Sequence, residues 1–370
     1  MGANWSGIRR TGAKTSRRTM LLATQVAVLA VVACAVGGRV GERSILEATV
    51  IPGQSADFLG VAWIDEDLLA VAYNPEGLIG GESELWQLRT DGTGFQPLTA
   101  TTDPRCTRLD DTDPARLPDG RIGFVRTCAL RERTTETTEH HLMAYDSGLG
   151  APVRLADAGC YVSQYSWDPG GTVAAFSCGS RICQGVALVS ADGVEPIGMV
   201  VREGDHAFDL AGHFKDESDC SATGRADFPA WRPDGEQVAF FASPRSVGVD
   251  GHARLDERWN LYLMPPDSGQ FTELLTDIKE PRSLAWSPDG SSLAFAAEPS
   301  EDGGKTWLFA PTTGDLALIS EDDLRSLSWA PAGDRIVAIR DPGTSREWDD
   351  MHLVVLDVAD AVSGDGTRRQ

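Results

Sequence analysis

Along most of the chain the apolar residues come in short runs that either alternate with polar residues or fill a few consecutive positions, and clusters of Pro, Asp and Gly separate them. No helical periodicity links the runs, so the pattern predicts strands joined by turns. One phrase recurs. AWSPDGSSLAFAAE (285–298) has counterparts in AWRPDGEQVAFFAS (230–243), SWAPAGDRIVAIRD (328–341) and SWDPGGTVAAFSCG (166–179). Two looser copies are ARLPDGRIGFVRTC (115–128), with Arg116 in the place of the aromatic, and AWIDEDLLAVAYN (62–74), which keeps Trp63 but lacks Pro-Asp-Gly. The anchor positions 63, 116, 167, 231, 286 and 329 are spaced by 53, 51, 64, 55 and 43 residues. A repeat of roughly fifty residues is the range of propeller blades and solenoid units.

Proline presets the second position of a type I turn, Asp tolerates the third, and Gly accepts the positive φ that follows. Pro288-Asp289-Gly290 therefore predicts a hairpin between two strands. A third apolar run follows each copy, as in ELWQLRT from 84 and TWLFAPT from 306, and a fourth closes most units, as in APVRLAD (151–157) and LALISED (316–322). Four strands joined by tight turns form a meander, and six meanders in succession predict an all-β, six-bladed β-propeller of four-stranded antiparallel blades. After MHLVVLDVAD the sixth unit has only the polar AVSGDGTRRQ, so its outer strand is expected from SILEATVI (44–51), an arrangement that removes open sheet edges.

The repeated phrase resembles the WD40-like repeat of TolB-type six-bladed β-propellers over roughly residues 44–360, without the α/β domain that precedes the propeller in that family. The resemblance implies architectural roles for the repeat residues. The Trp packs between neighbouring blades and the Asp-Gly shapes the turn, so none of them is assigned to a site.

The N-terminus changes the picture. Arg9, Arg10, Lys14, Arg17 and Arg18 precede an uncharged stretch from Met20 to Gly38, the pattern of an export signal or a membrane anchor. SRRTMLL (16–22) resembles a twin-arginine signal, and VVAC (31–34) resembles a lipobox, which makes Cys34 the candidate lipidated residue. A single uncleaved signal anchor is the alternative. Both readings place the propeller outside the cytoplasm. The expected organisation is an export or anchor region at 1–38, a propeller at 39–360 and a polar tail at 361–370. The formal net charge of −22 argues against nucleic acid and favours basic partners or cations. Beyond Cys34 six cysteines remain, and an even number in an exported chain suggests disulfides. Their places in adjacent expected loops suggest the pairing Cys106–Cys128, Cys160–Cys178 and Cys183–Cys220.

Catalytic signatures are absent from the sequence. It contains no G-x-S-x-G, H-E-x-x-H, Walker loop, EF-hand loop or G-x-G-x-x-G. SEDGGKTW (300–307) has the form S-x-D-x-G-x-T-W and resembles the Asp-box of sialidases; the residues themselves read as a hairpin in which Asp302 accepts backbone N–H groups. The acidic runs DDTD (110–113), DESD (216–219), EDD (321–323) and WDD (348–350) read as solvated loops, with Ca2+ binding as the alternative. His206 and His213 lie beside Asp205 and Asp209 without a metal-ligand spacing, and His140-His141 opens a strand and points to two faces. No metal and no other cofactor is assigned.

Two classes of function remain. One is a monomeric binding or scaffold module at the membrane surface. The other is a propeller enzyme of the lactonase, lyase or glycosidase type, with residues scattered around the channel; three or more perturbed polar groups converging there would mark it. Long connections are expected at RERTTETTEH (131–140), PRSVGVDGHARLDER (244–258), DPGTSREWDD (341–350) and 202–230, and binding residues concentrate on such loops. A protein partner is therefore expected on that face, with His206, Phe208, His213, Phe214, Arg254, Arg258, Trp259 and Trp348 as candidate contacts.

Overall fold

The computed structural model describes residues 49–55, 57–74, 82–99, 103–132, 135–158, 162–180, 183–190, 196–198, 200–203, 206–209, 225–243, 245–247, 253–255, 258–266, 271–298, 304–322, 324–340 and 351–359. The chain divides into Met1–Glu42 and Arg43–Gln370, and all of the described residues lie in the second unit. Their regular elements are strands, and among them no helix is long and apolar enough to cross a membrane.

The repeated turn does what its residues dictate. Gly120, Gly171, Gly235, Gly290 and Gly333 all have positive φ. Each donates its N–H to the carbonyl three residues earlier, as Gly290 does to Ser287 at 2.9 Å. The turn joins an inner strand to the next, and antiparallel pairing then carries the chain outward. Blade one comprises Asp57–Asp65, Leu68–Asn74, Glu84–Arg89 and the short Gln96–Pro97. Blade two comprises Cys106–Arg116, Ile122–Glu132, Thr135–Asp146 and Ala151–Asp157. Blade three runs from Val162–Trp167 through Val173–Ser180 and Cys183–Ser190 to Pro196–Gly198. Blade six takes Leu324–Trp329, Arg335–Arg340 and His352–Asp357, and its fourth strand is Thr49–Ser55, with Thr49 opposite Val355 and Val50 opposite Val354. That strand overlaps the expected 44–51 only at its C-terminal end, and residues 44–48 lie outside the described residues.

Blades four and five are not separate sheets. Thr272–Trp286 pairs with Arg258–Met264 over its first half and with Leu293–Glu298 over its second, so it is at once the outer strand of blade four and the inner strand of blade five. The two blades form one seven-stranded sheet with Arg225–Trp231 and Val238–Ser243 at one end and Lys305–Ala310 and Asp315–Ser320 at the other. Positive φ at Asp277 and Glu280 marks the bend. The connection contains no Gly or Asn to close a turn, so the strand continues through it.

The core is a ring of six interfaces. Phe176 and Trp167 pack with Val125 and Leu142 between blades three and two, Trp231 and Phe240 with Leu188 between four and three, and Phe241 with Phe295 between four and five. Leu308 and Trp329 join five to six, Phe58 and Trp63 join one to Val337 and Leu353 of six, and Leu85 joins Phe124 between one and two. Each large side chain buried this way contributes about 1.5–3 kcal/mol.

One expected loop is instead a pair of strands. RERTTETTEH continues blade two as a long hairpin, with register kept as far as Glu132 opposite Thr135. Its threonines are β-branched and favour extended backbone, which lets the ladder run past Cys128 rather than end there. Short ribbons also form within the other insertions, Val200–Glu203 with His206–Asp209 and Arg245–Val247 with Ala253–Leu255.

Candidate functional site

The inner strands surround an axial cavity of about 330 Å3, lined from all six blades. Its wall is set by one recurrent irregularity. In every blade the pairing of the inner strand slips at or just before the residue three positions ahead of the anchor, the place of Gly60, Asp113, Gln164, Phe228, Ser283 and Ser326. Asp113, Phe228 and Ser326 have φ of 50°, 56° and 53° there. Such conformations cost energy for residues with a side chain and persist only where the surroundings impose them. In blade one the position is glycine because a Cβ would meet Pro114 Cδ at 2.7 Å.

Blade two supplies the charged part of the wall. The run DDTD, expected in a solvated loop, lies on the inner strand Cys106–Arg116. Asp111 is fully buried and held by Arg126, with Nε to Oδ1 and Nη2 to Oδ2 both at 2.7 Å. Asp113 lines the cavity and keeps partial exposure there. Burial pushes its carboxyl up to about 7, against a hydrogen bond from Thr112 and with help from the negative charge of Asp227. Asp227 is itself buried; Ser177 donates a hydrogen bond to its Oδ1, as does the N–H of Phe228 at 2.8 Å. Burial, and secondarily the Asp113 charge, push the Tyr165 hydroxyl well above its ordinary range.

Hydroxyl groups complete the wall. Ser166 Oγ accepts the N–H of Trp231 at 3.0 Å, Ser283 Oγ that of Leu327 at 2.8 Å, and Ser328 Oγ that of Trp63 at 3.3 Å. Each bond joins neighbouring blades. The cavity reaches Arg116, Pro288 and Pro331, so it lies toward the tight-turn end, opposite to the end that loop length favoured.

Of the sequence-derived contacts, His206, Phe208, Arg254, Arg258 and Trp259 fall within the described residues. Trp259 is 7% exposed and packs with Phe241, Ile278 and Phe295, which corrects the expectation that it is a surface anchor. Its apolar ring contributes more by joining the core between blades four and five than it would in water. Arg258 is exposed and ion-paired with Asp277. His206 and Phe208 lie on the ribbon strand opposite Glu203 and Val201, and Arg254 lies opposite Ser246. His213, Phe214, Trp348 and Cys34 lie outside the described residues, as do residues 300–303 of the Asp-box and three of the acidic-run segments in whole or part. Cys106 and Cys128 form a disulfide with Cα atoms 5.3 Å apart. Cys178 and Cys183 lie on paired strands, opposite Gly185 and Ser180, while Cys160 and Cys220 are outside the described residues. His140 and His141 are both buried; Nδ1 of His140 is 3.0 Å from Thr127 Oγ1, and His141 lies between Asp157 and Glu139. Among the described residues no three His, Cys, Asp or Glu side chains form a metal-binding group.

No protein-family model matches the chain, and no curated protein matches its sequence. Among solved structures, TolB from Acinetobacter baumannii is similar over 93% of this chain and 71% of its own, with a TM-score of 0.50 at 16% identity. The fold is that of a TolB-like β-propeller. An oligogalacturonate lyase in complex with manganese matches the TolB-like chain over 84% of its length and 96% of the lyase, with a TM-score of 0.49 at 12% identity. A putative TolB from Agrobacterium tumefaciens covers 72% of the TolB-like chain and 81% of its own, with a TM-score of 0.47 at 14% identity. At such identities the likeness is one of fold. Sequence reading missed Asp113, Tyr165 and Asp227 because it treated the segment before each anchor as connection. The available signal was register: read three residues ahead of the anchor, Asp113 is the one acid among the six blades.

Proposed function

We propose that the protein is an extracytoplasmic binding module whose TolB-like propeller receives part of a protein partner in its axial cavity. The supporting observation is the cavity itself, walled by all six inner strands and rich in hydrogen-bonding groups. The Cys106–Cys128 disulfide fits an oxidising compartment. Attachment to the membrane is assigned to a lipid on Cys34, and Cys34→Ala then releases the chain or leaves its signal uncleaved; wild-type protein that keeps its full length indicates the uncleaved anchor instead.

The test is crosslinking and capture from intact membranes with the full chain, wild type against Gln164→Trp. Gln164 lines the cavity, so a large side chain there fills it. Loss of the captured partner with an unchanged melting temperature is expected. Identical capture by both proteins refutes use of the cavity.

A second reading rests on Asp113. A carboxyl group that titrates near neutrality inside a cavity is suited to general acid–base work. Turnover of a glycan or lactone that disappears in Asp113→Asn is the result that would move the assignment to an enzyme.

A further inference from the structure

Asp113 is the one acid at the slip position, three residues ahead of the anchor, and it lines the axial cavity. The two carboxylates just before it on the strand are matched by cations: Arg108 pairs with Asp110 at 2.9 Å and Arg126 with Asp111 at 2.7 Å. Asp113 has no such partner among the described residues. It accepts a hydrogen bond from Thr112, and the charge that acts on it is the like charge of Asp227, on the inner strand of blade four. Asp227 is buried and already holds the Ser177 hydroxyl and the N–H of Phe228. The neighbouring blade gives way to this arrangement. A Cβ on Gly60 would meet the Cα and the backbone nitrogen of Asp113, both at 3.2 Å, so glycine there admits the backbone that carries the carboxyl group.

A carboxyl group withdrawn from water without a cation is costly, and a second carboxylate nearby adds to the cost until a positive charge arrives. The rest of the wall suits the stem of such a ligand. Pro114, Pro229, Leu284, Trp286, Leu327 and Trp329 supply apolar surface, while the oxygens of Ser166, Ser283 and Ser328 already accept backbone N–H groups. The Tyr165 hydroxyl, close enough to feel the Asp113 charge, stays protonated. Arg116, the cation of the same wall, is exposed and lies three residues further along the strand toward the tight-turn end, where salt screens it. Thr112 already engages the Asp113 carboxyl, which favours a point charge over the planar fork of a guanidinium. A primary ammonium on an alkyl stem combines that charge with a chain that lies along apolar surface. A cavity of about 330 Å3 is at the small end of ligand sites and takes one such group.

We infer that the blade-two side of the axial cavity is a subsite for one primary ammonium group, held by the Asp113 carboxylate with its alkyl stem along the proline and indole wall. The inference rests on the reading of the cavity as the partner's site and names the chemistry it takes there. An ammonium of this kind is either a lysine side chain of the partner or a free alkylamine.

The experiment is calorimetric titration of the full chain with N-acetyl-Ala-Lys-Ala-amide, with the same peptide acetylated at the lysine Nζ, and with n-butylamine. The lysine peptide is expected to bind at least about tenfold more tightly than its acetylated form. Asp113→Asn, which keeps a residue type that tolerates positive φ, abolishes that preference without lowering the melting temperature. At neutral pH the ammonium displaces the proton that the carboxyl group holds there, so the heat of binding varies with the ionisation enthalpy of the buffer in the wild type and not in the variant. Butylamine that displaces the lysine peptide assigns the subsite to ammonium groups of either source, whereas butylamine that fails to do so assigns it to a protein side chain. Equal binding of the two peptides, no binding of any probe, or a preference that survives in Asp113→Asn overturns the proposal. If Asp113→Asn still captures the membrane partner that Gln164→Trp loses, the cavity reading stands and only the ammonium subsite falls.

Discussion

The indole N–H of Trp63 donates a hydrogen bond of 3.0 Å to the carbonyl oxygen of Ser328, 265 residues away in sequence. It joins the first blade to the sixth, and the Arg335 guanidinium lies 4.9 Å from the centre of the same indole. Trp329 to Ala285 and Trp286 to Ala230 repeat the relation one blade at a time. Trp63→Phe, which keeps most of the packing but leaves the Ser328 carbonyl unpaired, is expected to cost about 1–3 kcal/mol. Trp63→Ala, which also opens a cavity, is expected to cost about 3–5 kcal/mol. Urea unfolding of the two variants measures both, and equal costs would remove the hydrogen bond from the account.

The pairing of Thr49–Ser55 with His352–Asp357 predicts that residues 49–55 are part of the fold. Deleting them exposes the ladder of the sixth blade. The deletion variant is expected to lose cooperative thermal unfolding or to aggregate. A melting temperature within a few degrees of wild type would show the strand to be dispensable.

Asp113 makes stability depend on pH. Its carboxyl is raised from 3.8 to about 7, so the folded protein holds that proton more tightly than the unfolded chain does. The stabilisation it confers is complete below about pH 4 and is lost as the pH rises through about 7. Asp113→Asn lacks this loss. Its stability relative to wild type should therefore rise between pH 4 and 8, by at most about 4 kcal/mol. His140, lowered to about 4 by burial, acts in the opposite direction in the same range, but it is common to both proteins and cancels in the difference. Parallel pH profiles for the two proteins would show Asp113 to titrate normally.

The Cys106–Cys128 bond spans 22 residues of sequence. A crosslink of that span is expected to contribute about 3 kcal/mol through the unfolded chain. Replacing both cysteines by Ser should lower stability by about that amount, and wild-type protein in reductant should fall to the same level. Non-reducing peptide mapping that finds both thiols free would remove the basis of the prediction.

Trp259→Ala tests the corrected role of that residue. A buried indole between blades four and five should cost about 3–5 kcal/mol on truncation, with partner capture unchanged below the melting temperature. Capture lost at full stability would return Trp259 to the interface.

The sequence by itself determined the blade. Trp, Pro-Asp-Gly and the apolar run after them are local instructions, because a preset φ, a tolerated positive φ and a two-residue alternation act within one hairpin. Six copies of such an instruction specify six meanders wherever the chain goes next. Tertiary structure decided the rest, since it depends on residues from different blades meeting. Nothing local distinguishes the DDTD run on an inner strand from the same letters in a loop, and only the ring buries Asp111 against Arg126 while leaving Asp113 at the cavity. Trp259 reads as an exposed aromatic beside two arginines until Ile278 of the neighbouring strand and Phe295 of blade five cover it. Arg116 was legible as a departure from the repeat, but its place was not: only the closing of the inner strands around an axis puts it at the edge of a cavity.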